Sequence, residues 1–200
     1  MLKRSFDAAL SGAGLLLSSP LWLLIAAAIK LEDGGPVLFV QERVGKGGVT
    51  FRALKFRSMV AHASTLPQHQ AGEHDPRITG IGRLLRATAL DELPQLYNIF
   101  IGDMSFVGPR PLMPGEIEVR GSGELVRLDS IPGYDARHSV RPGLTGLSQV
   151  YAPRDTPRAR KFRLDAIYVR NATFRLDVFL VAVSFWITFR GRWELRVRKF

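Results

Sequence analysis

The chain contains no cysteine. Structural disulfides, thiolate nucleophiles and zinc sites built on cysteine are therefore excluded. Histidine is nearly as scarce: His62, His69, His74 and His138 are scattered without the spacing of a metal box, and each reads as a structural or surface residue. Acidic residues are in deficit, 18 against 28 lysines and arginines, which leaves a formal net charge of +10. That surplus implies anionic partners: nucleic acid, a lipid surface or phosphorylated substrates. The basic residues are dispersed, and no nucleic-acid-binding module, internal repeat or low-complexity tract is present, so nucleic acid is set aside.

What the chain does have is apolar length at both ends, joined to a body sized for one domain. After Met1-Leu2-Lys3-Arg4, residues Ala8 to Ile29 are apolar with only small or weakly polar interruptions. A helix of about 20 residues matches the roughly 30 Å bilayer core. Ser18-Ser19-Pro20 lies near the middle. Pro20 has no N–H and its ring crowds the carbonyl of Leu16, so a bend is expected there, with Ser18 and Ser19 serving the freed backbone groups. Lys3 and Arg4 precede the run and Lys30 follows it. A straight span leaves one of these basic groups on the outer face, whereas a re-entrant hairpin keeps both inside. The residues alone leave span and hairpin open. Towards the other end, Val178 to Phe189 is apolar but too short to cross, and Arg190, Arg192, Arg196, Arg198 and Lys199 follow it. That composition suits an interfacial amphipathic helix on anionic lipid, with a buried core helix and solvated tail as the alternative.

The middle reads as a compact mixed body. Asp33-Gly34-Gly35-Pro36 ends the membrane segment, Val37–Val40 and Thr50–Phe56 read as strands, and Gly45-Lys46-Gly47-Gly48 is the turn between them. Ala61 to Asp75 is a polar loop; Ile81 to Ala89 has helical spacing, and Pro94 opens a further helix over Gln95 to Ile101. Pro109, Pro111 and Pro114 break regular structure, and Pro132-Gly133 and Pro142-Gly143 mark turns. The expected class is α+β, mostly helical with a small β-hairpin.

The densest chemistry lies in Arg86-Ala87-Thr88-Ala89-Leu90-Asp91-Glu92-Leu93-Pro94. Adjacent carboxylates can divide labour: one attacks phosphorus, and its neighbour holds a divalent cation such as Mg²⁺. The plain alternative is a helix cap. Lys55, Arg57, Arg83, Arg86, Arg110 and Arg141 sit among apolar or turn residues, and arginine's planar fork suits phosphate oxygens.

Four segments in order, Lys55-Phe56-Arg57-Ser58-Met59, Leu90-Asp91-Glu92-Leu93-Pro94-Gln95-Leu96, Gly102-Asp103-Met104-Ser105-Phe106-Val107-Gly108-Pro109-Arg110-Pro111 and Val140-Arg141-Pro142-Gly143-Leu144-Thr145-Gly146, strongly resemble those of the bacterial sugar transferases. These are monotopic polyprenol-phosphate phosphoglycosyl transferases, and the likeness runs from Lys3 to about Arg190. The resemblance implies that Asp91 attacks the sugar-bearing phosphate of a UDP-sugar and releases UMP. Glu92 would help bind Mg²⁺, and the phosphosugar on Asp91 would pass to polyprenol (undecaprenyl) phosphate. Arg86 and the turn Pro109-Arg110-Pro111 match nucleotide and phosphate contacts, and Lys3, Arg4 and Ser19-Pro20 match the re-entrant hairpin. The implied organisation is a membrane hairpin over 1–32 and a catalytic domain over 33–200, on the cytoplasmic face of the bacterial inner membrane. The resemblance implies the minimal form, without the additional N-terminal spans of larger members.

Two positions depart from the commonest family pattern: Ala89 stands where serine is frequent and Leu147 where an aromatic is frequent. Neither carries the implied chemistry. A catalytically inactive membrane-anchored scaffold would keep the basic surface and the hairpin but would not need Asp91 and Glu92 together. Direct transfer, with Asp91 as a base, fits the same residues as the covalent route. The sugar is not legible, and a homodimer is compatible with the chain.

Overall fold

The computed structural model describes residues 2–61, 63, 75–119, 121, 123–153 and 156–190. His62, His69, His74, most of the polar loop and the basic residues Arg192, Arg196, Arg198 and Lys199 lie outside these. Helix α1 (Leu2–Asp33) leads to strands β1 (Leu38–Val44) and β2 (Thr50–Phe56), then helices α2 (Gly80–Ala87) and α3 (Gln95–Ile101). Strands β3 (Ser105–Val107), β4 (Ile117–Val119) and β5 (Leu125–Arg127) follow, then α4 (Tyr134–His138), β6 (Gly143–Thr145), α5 (Leu147–Tyr151), α6 (Arg158–Asn171) and α7 (Phe174–Phe189). The fold is mixed α+β and mostly helical.

Helix α1 holds 32 residues, about 48 Å at 1.5 Å per residue, and among the described residues it is the one helix long and apolar enough to cross a membrane. It is assigned as a single helix through Pro20. The hydrogen-bond deficit expected there is met locally: Ser19 Oγ donates to the Leu16 carbonyl at 2.8 Å, the acceptor that proline cannot serve. Ser18 instead accepts the Trp22 indole N–H at 3.1 Å.

Both ends of α1 are fastened to the body. Lys3 Nζ donates to the Val107 carbonyl and pairs with Asp177 of α7, and Arg4 donates to the Ile99 and Phe100 carbonyls at the end of α3. The buried Asp7 carboxylate accepts the Phe106 amide of β3. At the other end Ile25 and Ile29 pack with Phe56 and Leu85, Asp33 pairs with Arg57, and Glu32 accepts the amides of Gly80 and Ile81 as α2 begins. Between these anchorages Leu16, Leu17, Leu23 and Leu24 are exposed.

Among the described residues three two-stranded sheets replace the single hairpin expected. The hairpin β1–β2 pairs Leu38 with Phe56 through to Val44 with Thr50, so the first strand runs four residues beyond Val40, through polar Gln41-Glu42-Arg43. Strands β4 and β5 are antiparallel. Strands β3 and β6 are parallel, Ser105 opposite Gly143 and Val107 opposite Thr145, so Pro142-Gly143 opens a strand instead of a turn. Two glycines permit that pairing: a Cβ on Gly108 would lie 2.3 Å from the Arg141 carbonyl oxygen, and one on Gly143 would lie 2.0 Å from the Gly108 nitrogen.

Helix α7 is part core and part surface. Leu180 and Ile187 join Val107, Val150 and Tyr168 in a core cluster, while Val178, Phe179, Phe185 and Trp186 stay exposed.

Candidate active site

Two leucines position the carboxylates. Residues Leu90–Glu92 form a single 3₁₀ turn, in which side chains three apart share a side. Leu90 and Leu93 both pack on the Ile25–Ile29–Phe56–Leu85 cluster. Asp91 and Glu92 are the residues between them, only part-buried. The chain reaches this turn through Ala89, whose φ of 57° is the one positive value at a non-glycine among the described residues. Helix α2, capped by the Thr79 hydroxyl on the Gly82 amide, feeds into that left-handed step.

Lys55 on β2 and Arg110 both reach Glu92: Lys55 Nζ lies 2.7 Å and Arg110 Nη2 2.8 Å from Oε1. Arg86 on α2 donates from Nε to the Ser58 hydroxyl at 2.9 Å and acts on Asp91 through its charge. The turn that carries Arg110 has no N–H at Pro109 or Pro111, so it is held by its carbonyls. Pro109 O accepts from Gly143 N at 2.9 Å, Arg110 O from Arg137 Nη2 at 2.6 Å, and Pro111 O from Arg43 Nη1 at 3.2 Å. Arg137 is itself fixed in a buried ion pair with Asp165, 3.0 Å away, and Asp165 also accepts the Ser148 hydroxyl.

The neighbouring carboxylates are driven apart in acidity. Burial pushes the Asp91 carboxyl up, against the pull of Lys55, Arg86 and Arg110 and with help from the charge of Glu92. Burial also works to raise Glu92, but Arg110 and Lys55 outweigh it and hold Glu92 well below the usual carboxylate range. Oppositely shifted carboxylates side by side are a familiar basis for divided roles.

Of the residues singled out in the sequence, Lys55, Arg86 and Arg110 gather around Asp91 and Glu92, with Pro109 and Pro111 shaping the Arg110 turn. Arg57 is engaged elsewhere: it is buried, paired with Asp33, and donates to the Pro36 carbonyl, so it ties the end of α1 to β2. Arg141 donates to the Gly102 carbonyl at the end of α3. Lys3 and Arg4 serve as the fastenings of α1 described above. Sequence reasoning missed Arg43 and Gln95, which line one small cleft with Lys55, Glu92, Arg110, Pro111, Ala53 and Gly143. It also missed Arg137 and Asp165. Arg43 carried a faint signal, the continuation of the β1 alternation past Val40; the buried pair carried none, because its members lie 28 residues apart.

A metal would find few protein ligands. Among the described residues no three His, Asp or Glu side chains come together as a metal cluster. An ionised Glu92 with both ion pairs on the same oxygen does fit Mg²⁺, which typically takes one or two carboxylates and completes its shell with phosphate oxygens and water.

Comparison with known proteins places the chain in a family. The chain is 38% identical over 196 residues to the exopolysaccharide production protein ExoY of Rhizobium meliloti (strain 1021), covering 90% of this chain and 82% of that one. It is 42% identical over 188 residues to an undecaprenyl-phosphate glucose phosphotransferase of Komagataeibacter xylinus, covering 91% of this chain but 35% of the relative. It is 40% identical over 184 residues to a UDP-N-acetylgalactosamine-undecaprenyl-phosphate N-acetylgalactosaminephosphotransferase of Aeromonas hydrophila, covering 90% of this chain and 42% of the relative. Residues 1–191 match the family described as bacterial sugar transferase, and the chain belongs to that family.

Proposed function

We propose that the protein transfers a phosphosugar from a UDP-sugar to undecaprenyl phosphate, releasing UMP and opening the assembly of a surface glycan. The observation that carries this reading is the placement of a part-buried Asp91 beside a Glu92 whose carboxylate is paired with both Lys55 and Arg110. A helix cap does not require that arrangement, and neither does a scaffold. The relatives named for phosphosugar transfer to undecaprenyl phosphate support the same reaction class.

In this reading the Asp91 carboxylate attacks the sugar-bearing phosphorus, and the bond to the UMP oxygen breaks with its electron pair leaving on UMP. Desolvation suits the task, because a poorly hydrated carboxylate is a stronger nucleophile. Lys55, Arg86 and Arg110 bind and orient the diphosphate, and Arg137 keeps the Arg110 turn in place. Glu92, with Asp91 beside it, would hold Mg²⁺, which when bound neutralises diphosphate charge. The second half-reaction reverses the bond order: an oxygen of undecaprenyl phosphate attacks the same phosphorus and Asp91 leaves as carboxylate.

The same proposal makes residues 1–32, nearly all of them in α1, a re-entrant membrane element and sets residues 33–200 on the cytoplasmic face. Support comes from the fastening of both ends of α1 to one body, since a helix that crossed the bilayer would carry Lys3 and Glu32 to opposite sides.

The test uses the full chain in nanodiscs with Mg²⁺ and UDP-glucose, UDP-galactose or UDP-N-acetylgalactosamine, with and without undecaprenyl phosphate, alongside Asp91→Asn. A stoichiometric burst of UMP without lipid acceptor, turnover with it and neither in the variant is the expected result. Turnover without a burst would favour direct transfer. Folded protein inert towards every donor would leave the scaffold reading.

A further inference from the structure

We infer that Arg43, with Lys55 and Arg110, forms one phosphate seat occupied in turn by the departing nucleoside monophosphate and the incoming polyprenyl phosphate. The inference rests on the reading of Asp91 as nucleophile and adds to it a residue and an order of occupancy.

Arg43 is partly buried, and its hydrogen bonds go to neutral oxygens only, the Pro111 carbonyl and the Gln41 side chain. The cleft it lines holds three cations, Arg43, Lys55 and Arg110, against the single carboxylate of Glu92, whose Oε1 already serves the other two. Burial and the nearby Arg110 press the Arg43 guanidinium down, and the charges of Glu116 and Glu92 offset this only in part. A cation without a carboxylate hydrogen-bonded to it, in a cleft of like charge, is stabilised when an anion enters. Phosphate matches, because a guanidinium fork and an ammonium can share its oxygens.

Position says which phosphate. Lys55 and Arg110 are the members of the cleft whose positive charges act on Asp91, and Asp91 is not itself in the cleft lining. Arg43 shares the cleft with Lys55 and Arg110 while Asp91 does not line it, so the cleft offers a seat beside Asp91 for the phosphate on the far side of the reacting phosphorus. In an in-line displacement at phosphorus the leaving oxygen sits opposite the nucleophile. In the first half-reaction Asp91 forms the new P–O bond, and UMP leaves from the opposite side with the electron pair. In the second, Asp91 is the leaving group, so the attacking oxygen of the polyprenyl phosphate must enter opposite Asp91, where the UMP phosphate had been. With both monophosphates as dianions no proton needs to move. One seat thus suffices for both, and they exclude one another.

The experiment uses Asp91→Asn protein in nanodiscs, which cannot turn over, and measures UMP binding by calorimetry at increasing undecaprenyl phosphate. Mutually exclusive binding is expected, as is a loss of about 10- to 100-fold in affinity for both phosphates when Arg43→Gln is added. Independent binding overturns the shared seat. Weakening of only one phosphate, or of neither, by folded Arg43→Gln overturns the role of Arg43. If Arg43→Gln does not fold, the competition with Arg43 in place decides. The UMP burst of the unmodified chain is read separately, so failure of the reaction itself shows as no burst and is not confused with failure of the seat.

Discussion

Lys3 in the first turn of α1 pairs with Asp177 in the first turn of α7 at 2.7 Å, joining residues 174 positions apart. Asp177 is buried and also accepts the Tyr168 hydroxyl at 2.7 Å, while Lys3 donates to the Val107 carbonyl as well. One polar cluster thereby fixes the strand that leads into the Arg110 turn.

That cluster predicts a large stability effect from a residue sequence reading assigns to the membrane. Lys3→Met leaves a buried carboxylate with one neutral donor and should cost about 2–3 kcal/mol, less than a fully buried pair because the lysine is part-exposed. Tyr168→Phe should cost about 1 kcal/mol. The double variant should fall short of the sum, since both losses fall on Asp177. Denaturant unfolding in detergent measures all three.

The opposed shifts of the two carboxylates predict opposite signs. Asp91 is raised in the folded state, so its contribution to stability is present at acid pH and lost as pH rises through its folded value. Asp91→Asn should therefore abolish UMP release yet raise Tm near pH 7, and the gain should fade on acidification. The acid limb of UMP release should lie above the ordinary aspartate value of 3.8. An unchanged or lowered Tm at pH 7 would contradict the desolvation account.

Glu92 is depressed, so its contribution is present above the unfolded value of 4.5 and lost as pH falls through the folded one. Glu92→Gln leaves Lys55 and Arg110 without their shared anion and should destabilise by about 1–3 kcal/mol at pH 7. The gap should close in acid. Tm profiles of the two variants from pH 3 to pH 8 should lie on opposite sides of the unmodified chain at pH 7 and converge towards it in acid, the Glu92→Gln gap closing only in part by pH 3.

Much of this was legible because local rules governed it. Helix α3 over Gln95–Ile101 and strand β2 over Thr50–Phe56 follow from periodicity and punctuation, and both fall where expected. Lys55 and Arg110 stood out as basic residues in apolar or turn settings, and they meet at Glu92. The parallel β3–β6 pair was not legible: three-residue strands carry too little alternation, and their partnership depends on Gly108 and Gly143 approaching across a gap of 35 positions. Helix α6 escaped notice because it is largely polar and buries only Phe162, Asp165 and Tyr168. Arg57 looked like a phosphate ligand for the reason that makes it a good partner for Asp33, since a guanidinium fork fits any oxyanion.

Ala89 makes a conformational prediction. An alanine at φ 57° costs about 1 kcal/mol relative to glycine in the same left-handed step. Ala89→Gly should thus raise stability by up to about 1 kcal/mol, and Ala89→Val should lower it by more, because a β-branched side chain tolerates that region least. If Ala89→Gly is also slower in UMP release, the loss would mark the rigidity of this step as part of how Asp91 is aimed.

The absence of native cysteine makes the course of α1 directly testable. In a re-entrant arrangement, single cysteines at exposed Leu2 and at exposed Lys46 both face the cytoplasm and stay unlabelled by a membrane-impermeant thiol reagent applied to intact cells. A straight span exposes one of the pair. Pro20→Leu supplies the missing amide for the Leu16 carbonyl and removes the crowding that favours a bend. It should therefore favour a straight helix, against the fastenings of Lys3 and Arg4 to the body. Outside labelling of Leu2→Cys should stay negligible with Pro20 present. It should rise when Pro20→Leu is combined with Lys3→Met, which removes the ion pair holding that end. Outside labelling of Leu2→Cys with Pro20 and Lys3 both intact would establish a crossing and remove the re-entrant reading.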